Sequence, residues 1–230
     1  INAGSSFTNN FGPLNITGAT GVLQVNGSFT NDGIVNVTGI MTVNGDFANK
    51  NTLNVATASV LTVSAGGQFT NAGTLDNSGF LQINGTFTNS QKLVNKGEMN
   101  NFATFNNNNF IDNQTGAAFF NRTGGTLGMG FGSRILNDGS FTNQNAINSF
   151  GKTENNGTFL NSGTLLSFGG SLIDNNSTFT NNNTLSTNDV VSNDGTFTNN
   201  GTVNVNGGSV WSNNANFTNS TTGTVNVLQD

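Results

Sequence analysis

Few side chains in this sequence can move a proton or attack a bond. Histidine, cysteine and tyrosine are all absent. That removes Ser–His and Cys–His nucleophilic systems, the usual zinc sites and imidazole acid–base chemistry. Carboxylates remain, and the chemistry they perform in pairs is cleavage of glycosidic bonds. Two pairs are candidates: Asp189 with Asp194, and Asp138 with Glu154 if these lie one structural repeat apart. Acids and bases are otherwise thinly spread, and no segment gathers a cluster. The sequence therefore predicts no catalytic residue, no metal site and no cofactor.

Other ligand chemistries are equally sparse. A calcium-binding nonapeptide repeat needs periodic Asp in a Gly-Gly-x-Gly-x-Asp frame, which this chain lacks. Sequons such as Asn26-Gly-Ser28 and Asn200-Gly-Thr202 arise by chance in an Asn- and Thr-rich repeat, so glycosylation is not predicted. A recurrent Thr (Thr8, Thr30, Thr70, Thr88, Thr142, Thr180, Thr198, Thr218) suggests an ice-binding ladder. The column is broken by Ala48, Asn106, Phe120 and Leu160, and ordinary exposed strand Thr accounts for it.

The residues with regular spacing are of a different kind. Phe-x-Asn occurs twelve times, at Phe7, Phe29, Phe47, Phe69, Phe87, Phe105, Phe119, Phe141, Phe159, Phe179, Phe197 and Phe217. The paired amides are Asn9, Asn31, Asn49, Asn71, Asn89, Asn107, Asn121, Asn143, Asn161, Asn181, Asn199 and Asn219. The intervals between the Phe residues are all even: 22, 18, 22, 18, 18, 14, 22, 18, 20, 18 and 20. A fixed period of about 20 residues marks a repeat architecture. It runs from end to end, so residues 1–230 read as a single domain.

Elements that place such a pattern must be strands. From Phe29 to Gly45 the chain reads Phe-Thr-Asn-Asp-Gly, Ile-Val-Asn-Val, then Thr-Gly-Ile-Met-Thr-Val-Asn-Gly. These are three alternating or β-branched stretches separated by turn residues. Three short strands per 18 to 22 residues predict an all-β, three-sided parallel β-helix of 11 to 12 coils stacked about 4.8 Å apart. Even spacing preserves which face each strand presents, whereas a one-residue slip inverts it. The Phe residues should form one inward stack and the Asn residues a second, hydrogen-bonded along the column.

Six residues after Phe an aliphatic recurs (Val35, Leu53, Leu75, Leu93, Ile111, Ile147, Leu165, Leu185, Val203), predicting the core column of the second strand. Gly or Asn four residues after Phe, as at Gly33, Asn51, Gly73, Gly163, Asn183 and Gly201, predicts left-handed corners. Regularity weakens from Gly97 to Arg134, where the interval falls to 14 and five glycines crowd together. A bulge or altered corner is expected there, with a binding loop as the alternative.

The net charge is −5, and no Lys/Arg stripe exists to neutralise phosphates, so nucleic acid is not expected as a partner. All six bases lie between Lys50 and Lys152, and beyond them come only Glu154, Asp174, Asp189, Asp194 and Asp230. A solvated acidic surface accounts for this, and pairing with a neighbouring chain is the sharper reading. No apolar run approaches the roughly 18 residues of a membrane span. The first residue is Ile rather than Met, as expected of a form processed by signal removal or of an excised segment.

Stretches such as Phe197-Thr-Asn-Asn-Gly-Thr-Val-Asn-Val-Asn-Gly-Gly208 resemble the right-handed parallel β-helix of bacterial surface adhesins. The adhesin passengers of autotransporters and the haemagglutinin-like proteins of two-partner secretion have coils of similar length and Asn-x-Gly turns. The resemblance spans the chain and implies an extracellular or cell-surface structural role. A polysaccharide of the cell surface is the external partner it suggests. No secretion domain or outer-membrane barrel is recognisable.

Repeat proteins usually carry polar caps, and neither end reads as one. Ile1-Asn-Ala-Gly-Ser-Ser-Phe7 reads as the third strand of a coil, and Thr224-Val-Asn-Val227 as the second. Ile1, Phe7, Phe217, Val225 and Val227 are therefore candidate assembly residues. Two expectations follow: head-to-tail stacking of copies into an open fibre, or continuation of a longer solenoid as an adhesin stalk. A polysaccharide-active enzyme is the alternative from another class, and the composition argues against it.

Overall fold

The computed structural model describes residues 1–18 and 21–228 and is a parallel β-solenoid without helix. Its strands form three sheets of 12, 11 and 11 strands, and each strand pairs with the one three positions later in the chain. The first sheet begins at Ser6–Asn9, the second at Pro13–Ile16 and the third at Val22–Val25. Eleven complete coils result, with one further strand, Thr224–Val227, on the first sheet. At about 4.8 Å per coil the body is roughly 50 Å long.

Every strand has four residues, and in the interior coils its second and fourth side chains point inward. Beyond the first coil, corners have either two or four residues. One side therefore takes six or eight residues, and a coil takes 18, 20, 22 or 24. The even intervals follow directly, because an odd corner would turn the next strand's apolar face to solvent.

The Phe residues lie in two columns rather than one. Phe7 to Phe105 occupy the first sheet, whereas Phe119 to Phe217 occupy the third. The interval of 14 is thus no shortened coil. It spans two sides, Thr104–Asn107 and Phe110–Asn113, before the motif restarts at Ala118–Asn121. In the first sheet Leu127 and Met129 succeed Phe105 and Asn107. The aliphatic column changes sheet in step: Val35 to Ile111 stand in the second sheet and Ile147 to Val203 in the first. Within residues 97–134 the strands are regular; Gly124, Gly125, Gly130 and Gly132 fill four-residue corners, and Gly128 lies in the strand Thr126–Met129.

The corner glycines also differ from expectation. Asn51 and Asn183 do not have positive φ, and neither do Gly33, Gly73, Gly163 and Gly201. At the last three a side chain is excluded by proximity: a Cβ would lie 2.1 Å from the carbonyl oxygen of Asn51, Asn145 or Asn183 one coil below. Left-handed backbone occurs instead in the four-residue corners, at Ala58, Gly66, Gly116, Gly124, Gly132, Gly170 and Gly208.

Packing runs continuously along the axis. Phe29 to Phe197 of the repeat are 0–1% exposed, and successive rings in the upper column lie 4.5–4.7 Å apart up to Phe197. Each fully buried ring contributes about 1.5–3 kcal/mol of transfer free energy.

Candidate functional site

The most specific side-chain arrangement in the molecule is its buried amides. The Nδ2 of Asn31 donates to Asn49 Oδ1 at 2.8 Å and to the Thr52 carbonyl at 2.9 Å. Asn49, Asn71 and Asn89 repeat this with the next coil. Both amide protons and the carbonyl oxygen are thereby satisfied without water, the condition for burying such a group.

The predicted Asn residues form two such ladders, following the Phe columns. Asn9 to Asn107 run up the first sheet and end there, because Met129 follows Asn107. Asn121 to Asn219 run up the third, preceded by Asn101. A further ladder was not anticipated: Asn77, Asn95, Asn113, Asn137, Asn155, Asn175, Asn193 and Asn213 line the second sheet. Its sequence signal is the same x-Asn spacing with Leu75, Leu93, Ile111, Ile135, Ile173, Val191 or Trp211 in place of Phe, and Thr153 before Asn155. The ladder begins at a cost, since Asn77 Oδ1 stands above Val55 with no donor.

All the inner amides donate upward, from each coil to the next in sequence. Outer amide pairs run the opposite way, as in Asn54 to Asn36 to Asn15.

The carboxylate pairs do not converge. Asp189 and Asp194 flank Val190–Asn193, which sets them roughly 16 Å apart along a strand. Asp189 accepts from the Gly170 backbone N–H, and Asp194 from the Asn214 amide. Asp138 occupies a corner and accepts from Asn156, whereas Glu154 lies between Arg134 at 2.8 Å and Lys152 at 3.1 Å. Among the described residues no group of three His, Cys, Asp or Glu could hold a metal. Asp230 lies outside the described residues.

Five bases pair with acids of this same chain: Lys50 with Asp32, Lys96 with Asp76, Arg122 with Glu98, Arg134 with Glu154, and Lys152 with Glu154 and Asp174. Burial by itself would raise the Glu154 pKa and lower that of Lys152. Hydrogen bonds within the Arg134–Glu154–Lys152–Asp174 group outweigh it, holding Glu154 below and Lys152 above their ordinary values. No described helix is long and apolar enough to cross a membrane.

The candidate assembly residues sit on the two end coils. Ile1 is half-buried and its carbonyl accepts from Asn26, while Phe7 is 43% exposed. On the opposite face Phe217 is half-buried, and Val225 and Val227 are exposed around a cavity of about 340 Å³ that Trp211 also lines. Comparison with protein-family models, curated proteins and solved structures finds no match to this chain.

Proposed function

We propose that this protein is a structural element of a bacterial extracellular or cell-surface fibre, in which copies stack head to tail. The observation that carries the reading is the continuous column of Phe rings and amides, each satisfied by the coil beyond it. A solenoid stiffened in this way performs mechanical work without a reaction centre. The extracellular setting rests on the resemblance to surface adhesins.

The end faces support self-association by chemistry of the same kind. A second copy that lays Phe7 over Phe217 and Asn9 over Asn219 extends both columns, and it sets Leu14 and Ile16 on Val225 and Val227. Ser6–Asn9 belongs to the first sheet and Asn216–Asn219 to the third, so this stacking turns each copy by a third of a revolution. Further coils of a longer stalk would cover the same face.

Negative-stain electron microscopy of the purified 230-residue chain tests the reading, alongside Val225→Asp/Val227→Asp. Uniform filaments from the parent, lost in the charged variant, are the expected result. Single rods in both samples at high protein concentration would rule out stacking and leave the stalk.

A further inference from the structure

We infer that a notch on the outer face of the first sheet, between Asn106 and Asn148, binds one neutral sugar residue of a glycan. This inference stands independently of fibre assembly.

Asn106, Gly128 and Asn148 occupy the same outward position in three successive coils. Elsewhere on the surface, amides in successive coils bond to one another. Here Gly128 removes the middle member, and Gly130 leaves the adjoining corner bare. The result is a groove of about 480 Å³ lined also by Thr88, Asn108 and Phe150. A Cβ on Gly128 would lie 3.3 Å from Asn106 Oδ1, and one on Gly130 would lie 2.9 Å from Asn108 Oδ1. Two carbonyl oxygens therefore lean over the glycine floor. Asn106, Asn108 and Asn148 have no side-chain hydrogen-bond partner among the described residues.

The ligand class follows from what these groups recognise. Amides donate and accept equally, which suits hydroxyls that do the same. Two coils separate Asn106 from Asn148 by roughly 9–10 Å, room for one sugar ring with a hydrogen bond at either side. Phe150 supplies an apolar wall and packs between Phe131, tilted by 41°, and Phe168, stacked on it, with its centroid 4.7 Å from each. That outer row covers both faces of the ring and holds it in place, so its edge gives apolar contact for the C–H groups of a sugar. No lining residue carries a charge, so the ligand is neutral. A peptide strand is disfavoured, because the backbone of this sheet is already paired with the coils on both sides.

The test is an array of neutral and acidic oligosaccharides, followed by calorimetry with the best neutral binder, on the whole chain and on two variants. Gly128→Asn restores the missing amide and fills the notch. Asn148→Ala removes one side of it. Binding of a neutral oligosaccharide, weakened at least tenfold in both variants with unfolding midpoints unchanged or raised for Gly128→Asn, is expected. The inference is overturned if no neutral oligosaccharide binds at millimolar concentration, if acidic glycans or peptides bind instead, or if Gly128→Asn binds as the parent does.

Discussion

Phe105 and Phe119 stand in different sheets, yet their rings meet across the interior with centroids 5.8 Å apart. The aromatic column thus changes sheet without being interrupted. Rings on either side of the change should be worth as much as those within one sheet. Phe119→Ala and Phe179→Ala should each lower stability by about 3–5 kcal/mol, the usual cost of removing a buried ring. Phe7→Ala, at a half-exposed position, should cost far less. Chemical unfolding of the three variants checks this, and a much smaller loss for Phe119→Ala would show the change of sheet to be loosely packed.

Amide ladders make substitutions asymmetric. Asn161→Leu keeps the branched outline of the side chain but strands the Asn143 donor and the Asn181 acceptor. At about 1–3 kcal/mol for each unsatisfied buried group, the loss should exceed that of Asn36→Leu on the surface several-fold. Thermal unfolding of both variants gives the comparison, and equal midpoints would refute the assigned importance of the inner bonds.

Ala58 is the one described residue other than glycine with positive φ, at 64°. A left-handed backbone costs a residue with a Cβ about 1–2 kcal/mol, partly offset by the extra chain entropy of glycine at about 0.5–1 kcal/mol. Ala58→Gly should therefore stabilise the protein by up to about 1 kcal/mol. Gly163→Ala should act in the opposite direction, by about 1–3 kcal/mol or more, because its Cβ would press on the Asn145 carbonyl at 2.1 Å. Denaturant midpoints for the pair suffice, and a stabilising Gly163→Ala would contradict the close approach.

The Arg134–Glu154–Lys152–Asp174 group predicts two pH limits. Glu154 is depressed in the folded state, so its contribution is present above its unfolded pKa and is lost as pH falls through the folded value. Lys152 is raised, so its contribution is complete below its unfolded pKa and is lost as pH rises through the folded value. Being partly exposed, each pair should be worth under about 1 kcal/mol. Glu154→Gln should lower the melting temperature slightly at neutral pH and leave it unchanged in strong acid. An acid-independent difference would show that the effect is packing rather than charge.

Much of this architecture is legible because its periods are short. Phe29, Asn31 and Val35 announce inward positions two and four residues apart, and the even intervals encode corners of two or four residues. The change of sheet at Phe105 is hidden for a physical reason. An interval of 14 is equally a contracted coil or two complete sides, and only pairing decides which. The second-sheet ladder is hard to read in the sequence because Leu75, Ile135 and Trp211 vary where the recurrent motif keeps Phe. The corner glycines misled for another reason: sequence cannot separate a residue chosen for its φ from one chosen because a carbonyl lies against its α-carbon. At the notch, Gly128 is informative only once Asn106 and Asn148 are known to be its neighbours.

The first ladder of amides ends at Asn107, after those of the second and third sheets have begun at Asn77 and Asn101. Their ends overlap as courses of brick do in a wall. No plane between successive coils can be opened without tearing at least one buried amide bond, so no interior plane is a preferred place for a crack to start. Under tension along the axis the body should fail from its ends rather than snap at its middle.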